Sequence, residues 1–201
     1  MSDFWNARWA EPEAAYGDAP NDFLAEVADA IPAAGHVVCI ADGDGRNGAW
    51  LARHGYTVTG VDQSEVAVAR ANARGADPAC HGGYVAVVGD LATWGFPACD
   101  AVVSIYAHLP PALRAEVHAR AWEALRPGGV LILEAFEPAQ LTRSSGGPRD
   151  EALLYTPDLL RQDLAGTEAR FEVLHTVTIA LAEGPYHIGP AEVVRMVARK
   201  P

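Results

Sequence analysis

The sequence predicts an α/β fold, a doubly wound and mainly parallel sheet with helices on both faces. Three observations carry this. Short apolar runs alternate with segments of helical period through most of the chain. The first run, "HVVCIA" (36–41), is continuously apolar, as in a strand buried on both faces. The last two runs are joined by "AEGPYHIGP", the pattern of a closing antiparallel hairpin. Right-handed crossovers wind such a sheet, and its ligand site lies at the carboxyl ends of the strands.

The elements follow in order. "NDFLAEVADAI" (21–31) spaces Phe23, Leu24, Val27, Ala28 and Ile31 along one helix face, with Asn21 as cap. After the first strand, "NGAWLARHG" (47–55) reads as a helix stopped by Gly55. "YTVTGVD" (56–62) is a strand, and "SEVAVARANARG" (64–75) a helix capped by Ser64. "YVAVVGD" (84–90) is the third strand, and "CDAVVSIYAHL" (99–109) opens with the fourth. A helix starts at Pro110 and stops at Pro127-Gly128-Gly129, before the strand "VLILEAF" (130–136). Residues 137–150 read as a loop and 156–164 as a short helix. The strands 170–181 and 191–200 form the hairpin.

A chain of 201 residues, half of them apolar, can bury one sizeable core. It reads as a single domain, with an N-terminal lid or arm (1–31), a cofactor-binding core (36–136) and a substrate-side loop with the hairpin (137–201). The formal net charge of -11, with scattered arginines, argues against nucleic-acid or anionic-membrane partners. Three cysteines with no C-x-x-C pair argue against a disulfide framework. No leader or membrane-spanning run is legible, so the expectation is a cytoplasmic protein, monomer or homodimer.

"ADGDGRNGAW" (41–50) carries the chemistry. Counted as a calcium loop from Asp42, it places Arg46, Asn47 and Arg53 where ligands, a glycine and a bidentate acid belong. A plain turn does not need three glycines within six residues. An adenosine cofactor does gain from them, because glycines admit the ligand to the backbone and to the free amides of a helix N-terminus. Asp62, ending the second strand, stands where a ribose-binding carboxylate belongs. A nicotinamide dinucleotide and S-adenosylmethionine both fit to this point. Three features favour the second: Asp90 closing the third strand, the Pro-Gly-Gly turn, and the terminal hairpin. Only about 60 residues follow Phe136, little room for a second catalytic domain.

On these residues the chain resembles the class I S-adenosylmethionine-dependent methyltransferases, and more narrowly the tellurite-resistance and thiopurine branch. The resemblance runs through "FWNARWAEPEAAYGDAPNDFLAE", "GDGRNGAWLARHGYTVTGVDQS", "GDL", "HLPPALRAEVHARAWEALRPGG", "GGP" (146–148) and "EGPYHIG" (183–189). It implies a Rossmann-like seven-stranded sheet of order 3-2-1-4-5-7-6 with strand seven antiparallel. It implies that Asp42, Gly43, Asp44 and Gly45 hold the methionine part of the cofactor. Arg46, beside Asn47, would reach a carboxylate. Asp62, with Gln63 and Ser64, would hold the ribose, Asp90 and Leu91 the adenine, and Ser104, Ile105 and Tyr106 the sulfonium side. The loop departs from the family's D-x-G-C-G-x-G-R-N. Cys39 replaces the acid, Ala41 the first glycine and Asp42 the cysteine.

Methyl transfer from a sulfonium is an in-line displacement, for which the protein supplies alignment and, for weak nucleophiles, a base. His108, after the fourth strand, is the candidate base. Trp5, Trp9, Tyr16 and Asn21 are candidates for the lid, and His187 for the rim of the cleft. No histidine spacing suggests a metal. The expected function is methylation of a small molecule: a thiol, a selenium or tellurium oxyanion, or a heterocycle. The alternatives are a cofactor-binding regulatory protein without turnover and a nicotinamide-dependent oxidoreductase.

Overall fold

The computed structural model describes residues 2–11 and 14–201; Met1, Pro12 and Glu13 of the predicted N-terminal lid lie outside the described residues. The elements are α1 (Ser2–Trp9), α2 (Asp22–Val27), β1 (His36–Ile40), α3 (Arg46–Arg53), β2 (Thr57–Asp62), α4 (Glu65–Gly75) and β3 (Tyr84–Val88). They continue with β4 (Cys99–Ile105), α5 (Pro111–Ala124), β5 (Leu125–Phe136), α6 (Pro157–Asp163), β6 (Arg170–Ala182) and β7 (Ile188–Arg199). The sheet order is β3-β2-β1-β4-β5-β7-β6. β1 pairs in parallel with β2 and β4, and β7 runs antiparallel to both β5 and β6. This is the order the resemblance implies; the alternation of strand and helix accounts for the parallel strands, and the hairpin supplies the one reversed strand.

Alternate residues of each strand feed two cores. Val38, Ile40, Val102, Leu131 and Leu133 pack under Val117 and Trp122 of α5 and Leu160 of α6. Val37, Cys39, Val103 and Ile132 pack under Phe23 and Leu24 of α2 and Leu51 of α3. Removing a side chain such as Leu24, fully buried, costs about 2–5 kcal/mol.

Several boundaries differ from the sequence reading. Residues 2–9, read only as a lid segment, form α1. The predicted helix 21–31 stops at Val27 and continues as a 3-10 turn over Ala28–Ala30. The Asn21 side chain accepts the Leu24 amide, as its capping role requires. The helix after Pro110 stops at Ala124, not at the Pro-Gly-Gly turn. That turn lies inside β5, where the ladder to β4 slips between Cys99 and Ala101. β7 begins three residues before Ala191. The loop 137–150 contains a 3-10 turn, Pro138–Thr142.

Two lone charges interrupt the apolar inner strands. Glu134 on β5 is fully buried, and Arg195 on β7 is its register partner. The Arg195 Nε donates to Glu134 Oε2 at 2.6 Å. A carboxylate buried in a sheet is tolerated only with such a partner.

Candidate active site

The turn after β1 is tied to the turn after β2. The Gly43 amide donates to Asp62 Oδ2 at 3.0 Å and the Ser64 amide to Asp62 Oδ1 at 2.9 Å. Burial raises the Asp62 carboxyl above its ordinary value, while these amides oppose the shift. Ser64 caps α4 through the Ala67 amide, and its hydroxyl donates to Asn6 of α1. Gln63 points outward. Ala41 and Gly43 adopt positive φ (49° and 58°), the backbone shape that glycine gives the resembled family at position 41. α3 begins at Gly45, which offers no side-chain cap; the Gly48 amide faces Asp42, and the helix amides before it carry no side-chain cap against a ligand.

The glycines divide their work differently from expectation. A Cβ on Gly43 would stand 2.4 Å from the Trp9 ring, so this glycine meets the lid. Cβ atoms on Gly45, Gly48, Gly60 and Gly75 would each strike Tyr84, at 2.6, 2.4, 2.6 and 2.7 Å. The Tyr84 side chain runs from β3 beneath the loop in a slot walled by glycine. Its hydroxyl donates to Asp42 Oδ2 at 2.6 Å. Asp42, expected to help hold the cofactor, therefore turns its carboxylate under the loop. Burial raises that carboxyl to about 7; the Tyr84 hydroxyl opposes this, and Asp44 and Asp62 add to it. Asp44 pairs with Arg74 of α4 at 2.6 Å. Burial, with Asp42, pushes the Cys39 thiol well up, so it is an inert core residue.

Beyond the loop lies a polar network. The Asn21 Nδ2 donates to Glu134 Oε1 (2.7 Å) and Glu183 Oε1 (3.1 Å). The Asn21 amide donates to Asn47 Oδ1, which joins the lid to α3. Arg46, expected to reach a cofactor carboxylate, instead donates to Ala19 O at 3.0 Å and Glu183 Oε2 at 2.8 Å. His187 Nδ1 lies 3.4 Å from Glu183 Oε2. Burial works to raise the Glu183 carboxyl, but His187 and Arg46 outweigh it and hold it below its ordinary value. Burial lowers the His187 imidazole, against the opposing pull of Glu183.

Aromatic rings enclose this network. The His187 ring lies 4.6 Å from Tyr16, 4.7 Å from Tyr106 and 5.3 Å from Phe136. Tyr106 stands at the end of β4 with φ at 54°, and its hydroxyl donates to Glu134 Oε1 at 2.8 Å. Such a backbone persists in a bulky residue only where its surroundings hold it. Beside Tyr106, Ile105 is buried and the Ser104 hydroxyl is buried without a partner.

The lid and the β6–β7 turn clasp each other. A Cβ on Gly184 would lie 2.5 Å from Gly17 N and 2.7 Å from Ala15 O. Arg8 lies over the Tyr186 ring at 3.5 Å, and the Tyr186 hydroxyl donates to Glu11 at 2.8 Å. Trp9 packs on Ala15 and Ala67, with Trp5 and Tyr16 beside it.

His108, expected as the base, has both ring nitrogens engaged by backbone. Nδ1 donates to Leu153 O (2.7 Å), and Nε2 accepts the Phe136 amide (3.3 Å). No lone pair is left for a proton, and burial pulls the imidazole down to about 4. Asp90 accepts the Ala92 amide at 2.9 Å and shapes the turn after β3, where Leu91 is buried. Glu134, Glu183, Arg195 and Tyr84 escaped the sequence reading. Only the first and third leave a trace there, as single charges inside "VLILEAF" and "VVRMV".

The residues fit an adenosine cofactor in two respects: the uncapped leading amides of α3, and the unpartnered Ser104 hydroxyl at the end of the neighbouring strand. Residues 37–129 match the family model described as a methyltransferase domain. Three solved structures are similar over the whole of this chain. A protein from work on the conversion of a disulfide bond into a thioacetal group during echinomycin biosynthesis is 19% identical, with 91% of its own chain covered and a TM-score of 0.77. TehB from Haemophilus influenzae is 17% identical, with 67% covered and a TM-score of 0.74. Magnesium protoporphyrin IX methyltransferase from Synechocystis PCC 6803, with bound S-adenosylmethionine, is 19% identical, with 95% covered and a TM-score of 0.69. No curated protein matches. The sheet order agrees with the fold of these neighbours, and the matched methyltransferase model lies over the part of the chain from β1 to β5. Among the described residues no helix is long and apolar enough to cross a membrane.

Proposed function

We propose that the chain methylates a small-molecule acceptor at the carboxyl end of β4, with His187 as the proton-accepting group. The Glu183–His187 pair inside the ring wall of Tyr16, Tyr106 and Phe136 carries this reading. A neutral imidazole whose Nδ1–H is held by a carboxylate keeps its Nε2 lone pair for an acceptor. Bound S-adenosylmethionine supplies an activated methyl. The chain aligns the acceptor, and the closed lid excludes water. The amides of α3 and the Asp44–Gly45 backbone would hold the methionine part, Asp62 the ribose, and the Asp90–Leu91 turn the adenine. The soft acceptors of the tellurite-resistance branch, thiols and chalcogen oxyanions, suit the apolar wall, and so does a flat heterocycle. The formal net charge of -11 favours a small acceptor over a nucleic acid or an anionic membrane.

Calorimetry with S-adenosylhomocysteine tests the cofactor half; binding on the order of micromolar is expected in wild type. Asp62→Ala should weaken it about tenfold or more, because two loop amides lose their anchor along with the ribose contact. No binding to folded wild type would end the reading. A panel of thiol, tellurite, amine and heterocycle acceptors tests the rest. His187→Gln should lower kcat about 10²-fold with little change in cofactor affinity. Equal turnover in His187→Gln would place the ring in the structure alone.

A second reading, a cofactor-binding regulator without turnover, is motivated by Cys39 and Ala41 in place of the family's acid and glycine. Methyl transfer to any panel member excludes it.

A further inference from the structure

Asp42 puts a carboxyl where the resembled loop pattern has cysteine, and its surroundings make it unusual. The Tyr84 hydroxyl holds it from β3 at 2.6 Å. Cys39 faces it from β1, Asp62 from β2 and Asp44 from the loop itself, and the Gly48 amide of α3 lies alongside. The nearby cation on α4, Arg74, is committed to Asp44 at 2.6 Å and Asp18 at 2.7 Å. Among the described residues no ion pair forms to Asp42. Cβ atoms on Gly48 and Gly60 would lie 2.5 and 2.9 Å from its Oδ2, so the carboxyl packs closely beneath the loop, against backbone that only glycine leaves room for.

Resting on the methyltransferase reading, we propose that Asp42 makes the loop discriminate the charged methyl donor from its demethylated product, and that Tyr84 sets the pH at which it does so. The two ligands differ by one methyl and by the positive charge on sulfur. An ionised carboxylate under the loop attracts the sulfonium and gives no such preference to the neutral thioether. Enclosed in protein, its field is poorly screened by salt. Acting over roughly 10 Å at an effective dielectric near 20, one such charge shifts a binding ratio about fifteenfold when fully ionised. The carboxyl stands at about 7, raised first by burial, so the preference switches on as pH rises through the neutral range. The consequence is release of product: the ionised enzyme favours exchange of S-adenosylhomocysteine for fresh donor.

The test is calorimetric, on the full chain, with S-adenosylmethionine and S-adenosylhomocysteine at about pH 6 and about pH 8.5, either side of the Asp42 value. In wild type the ratio of product to donor Kd should rise about fivefold between the two. In Asp42→Asn the ratio should stay at its low-pH level, and any titration of the ligands themselves remains visible in that variant. Tyr84→Phe keeps the ring in its slot but removes the bond that favours the charged carboxylate. Its rise should therefore be displaced to higher pH, which keeps the idea testable if Asp42→Asn folds poorly. A flat wild-type ratio, or an equal rise in Asp42→Asn, overturns the proposal. Failure of wild type to bind either ligand overturns the methyltransferase reading instead, and this proposal falls with it.

Discussion

Asp42 and His108 show two fates of a buried ionisable group. Asp42 has the Tyr84 hydroxyl and the Gly48 amide as donors but no bonded cation, and burial outweighs both, so the folded state favours its protonated form. An unfolded aspartate ionises near 3.9, whereas in the fold this one ionises near 7. The folded protein thus holds an extra proton between those values, and stability falls as pH rises across that window. Asp42→Asn should therefore raise Tm at pH near 8, by on the order of 4 kcal/mol of stability, and leave it nearly unchanged near pH 4. Thermal melts at the two pH values check this. His108 stays neutral because both nitrogens serve backbone groups. His108→Ala should cost about 2–4 kcal/mol in denaturant melts and leave S-adenosylhomocysteine affinity within about twofold. Position in the chain made His108 the candidate base. What decides is the bonding of its nitrogens, set by Leu153 and Phe136, which no local pattern reveals. His187 was legible only as a residue of the cleft rim. Its partner Glu183 stands four residues before it in a turn, where such spacing has no fixed geometry until the hairpin forms.

At the scale of elements, order and direction were legible because strand burial and helix period are local signals. Element ends were less so. Pro-Gly-Gly was read as a helix stop, yet it is absorbed into β5 because the β4 ladder tolerates the slip there. Tyr84 was read simply as the first residue of a strand. The slot that receives it is assembled from β2, α3, α4 and the loop, and each of its glycines has a local explanation that hides the shared one. This gives a direct test. Gly60→Ala should destabilise by about 1–3 kcal/mol, because its new methyl meets both the Tyr84 hydroxyl and Asp42. Combining Gly60→Ala with Tyr84→Ala should cost less than the sum of the two single changes, since the clash disappears with the ring. Additive melts would show that Gly60 is needed for backbone shape alone.

Across the whole molecule, the cofactor loop, the lid and the hairpin form one closed arrangement. Trp9 lies on Gly43, Asn21 binds Asn47 and Glu134, and Gly17 abuts Gly184. Opening the clasp should expose the loop without touching the core. Gly184→Val adds a side chain at a position with φ of 69°, against the Gly17 and Ala15 backbone. Amide hydrogen exchange should speed up over residues 3–11 and 14–17 while β1 and β4 stay protected. S-adenosylhomocysteine should leave faster, with unchanged exchange in that segment as the contrary result. The sequence suggested the lid from its aromatic residues. It could not suggest the clasp, because a pair of glycines 167 positions apart has no pattern before folding.

That clasp also has a meaning in time. A ribosome releases Trp9 and Tyr16 long before Gly184, Tyr186 and His187 exist. The sheet from β1 to β5 can assemble on the growing chain, but the cover over the loop has nothing to fasten to until the last hairpin emerges. The space between the loop and its cover is thus the final part of the protein to be sealed, and a chain cut short before the β6–β7 turn would present a formed glycine loop under an unmoored flap.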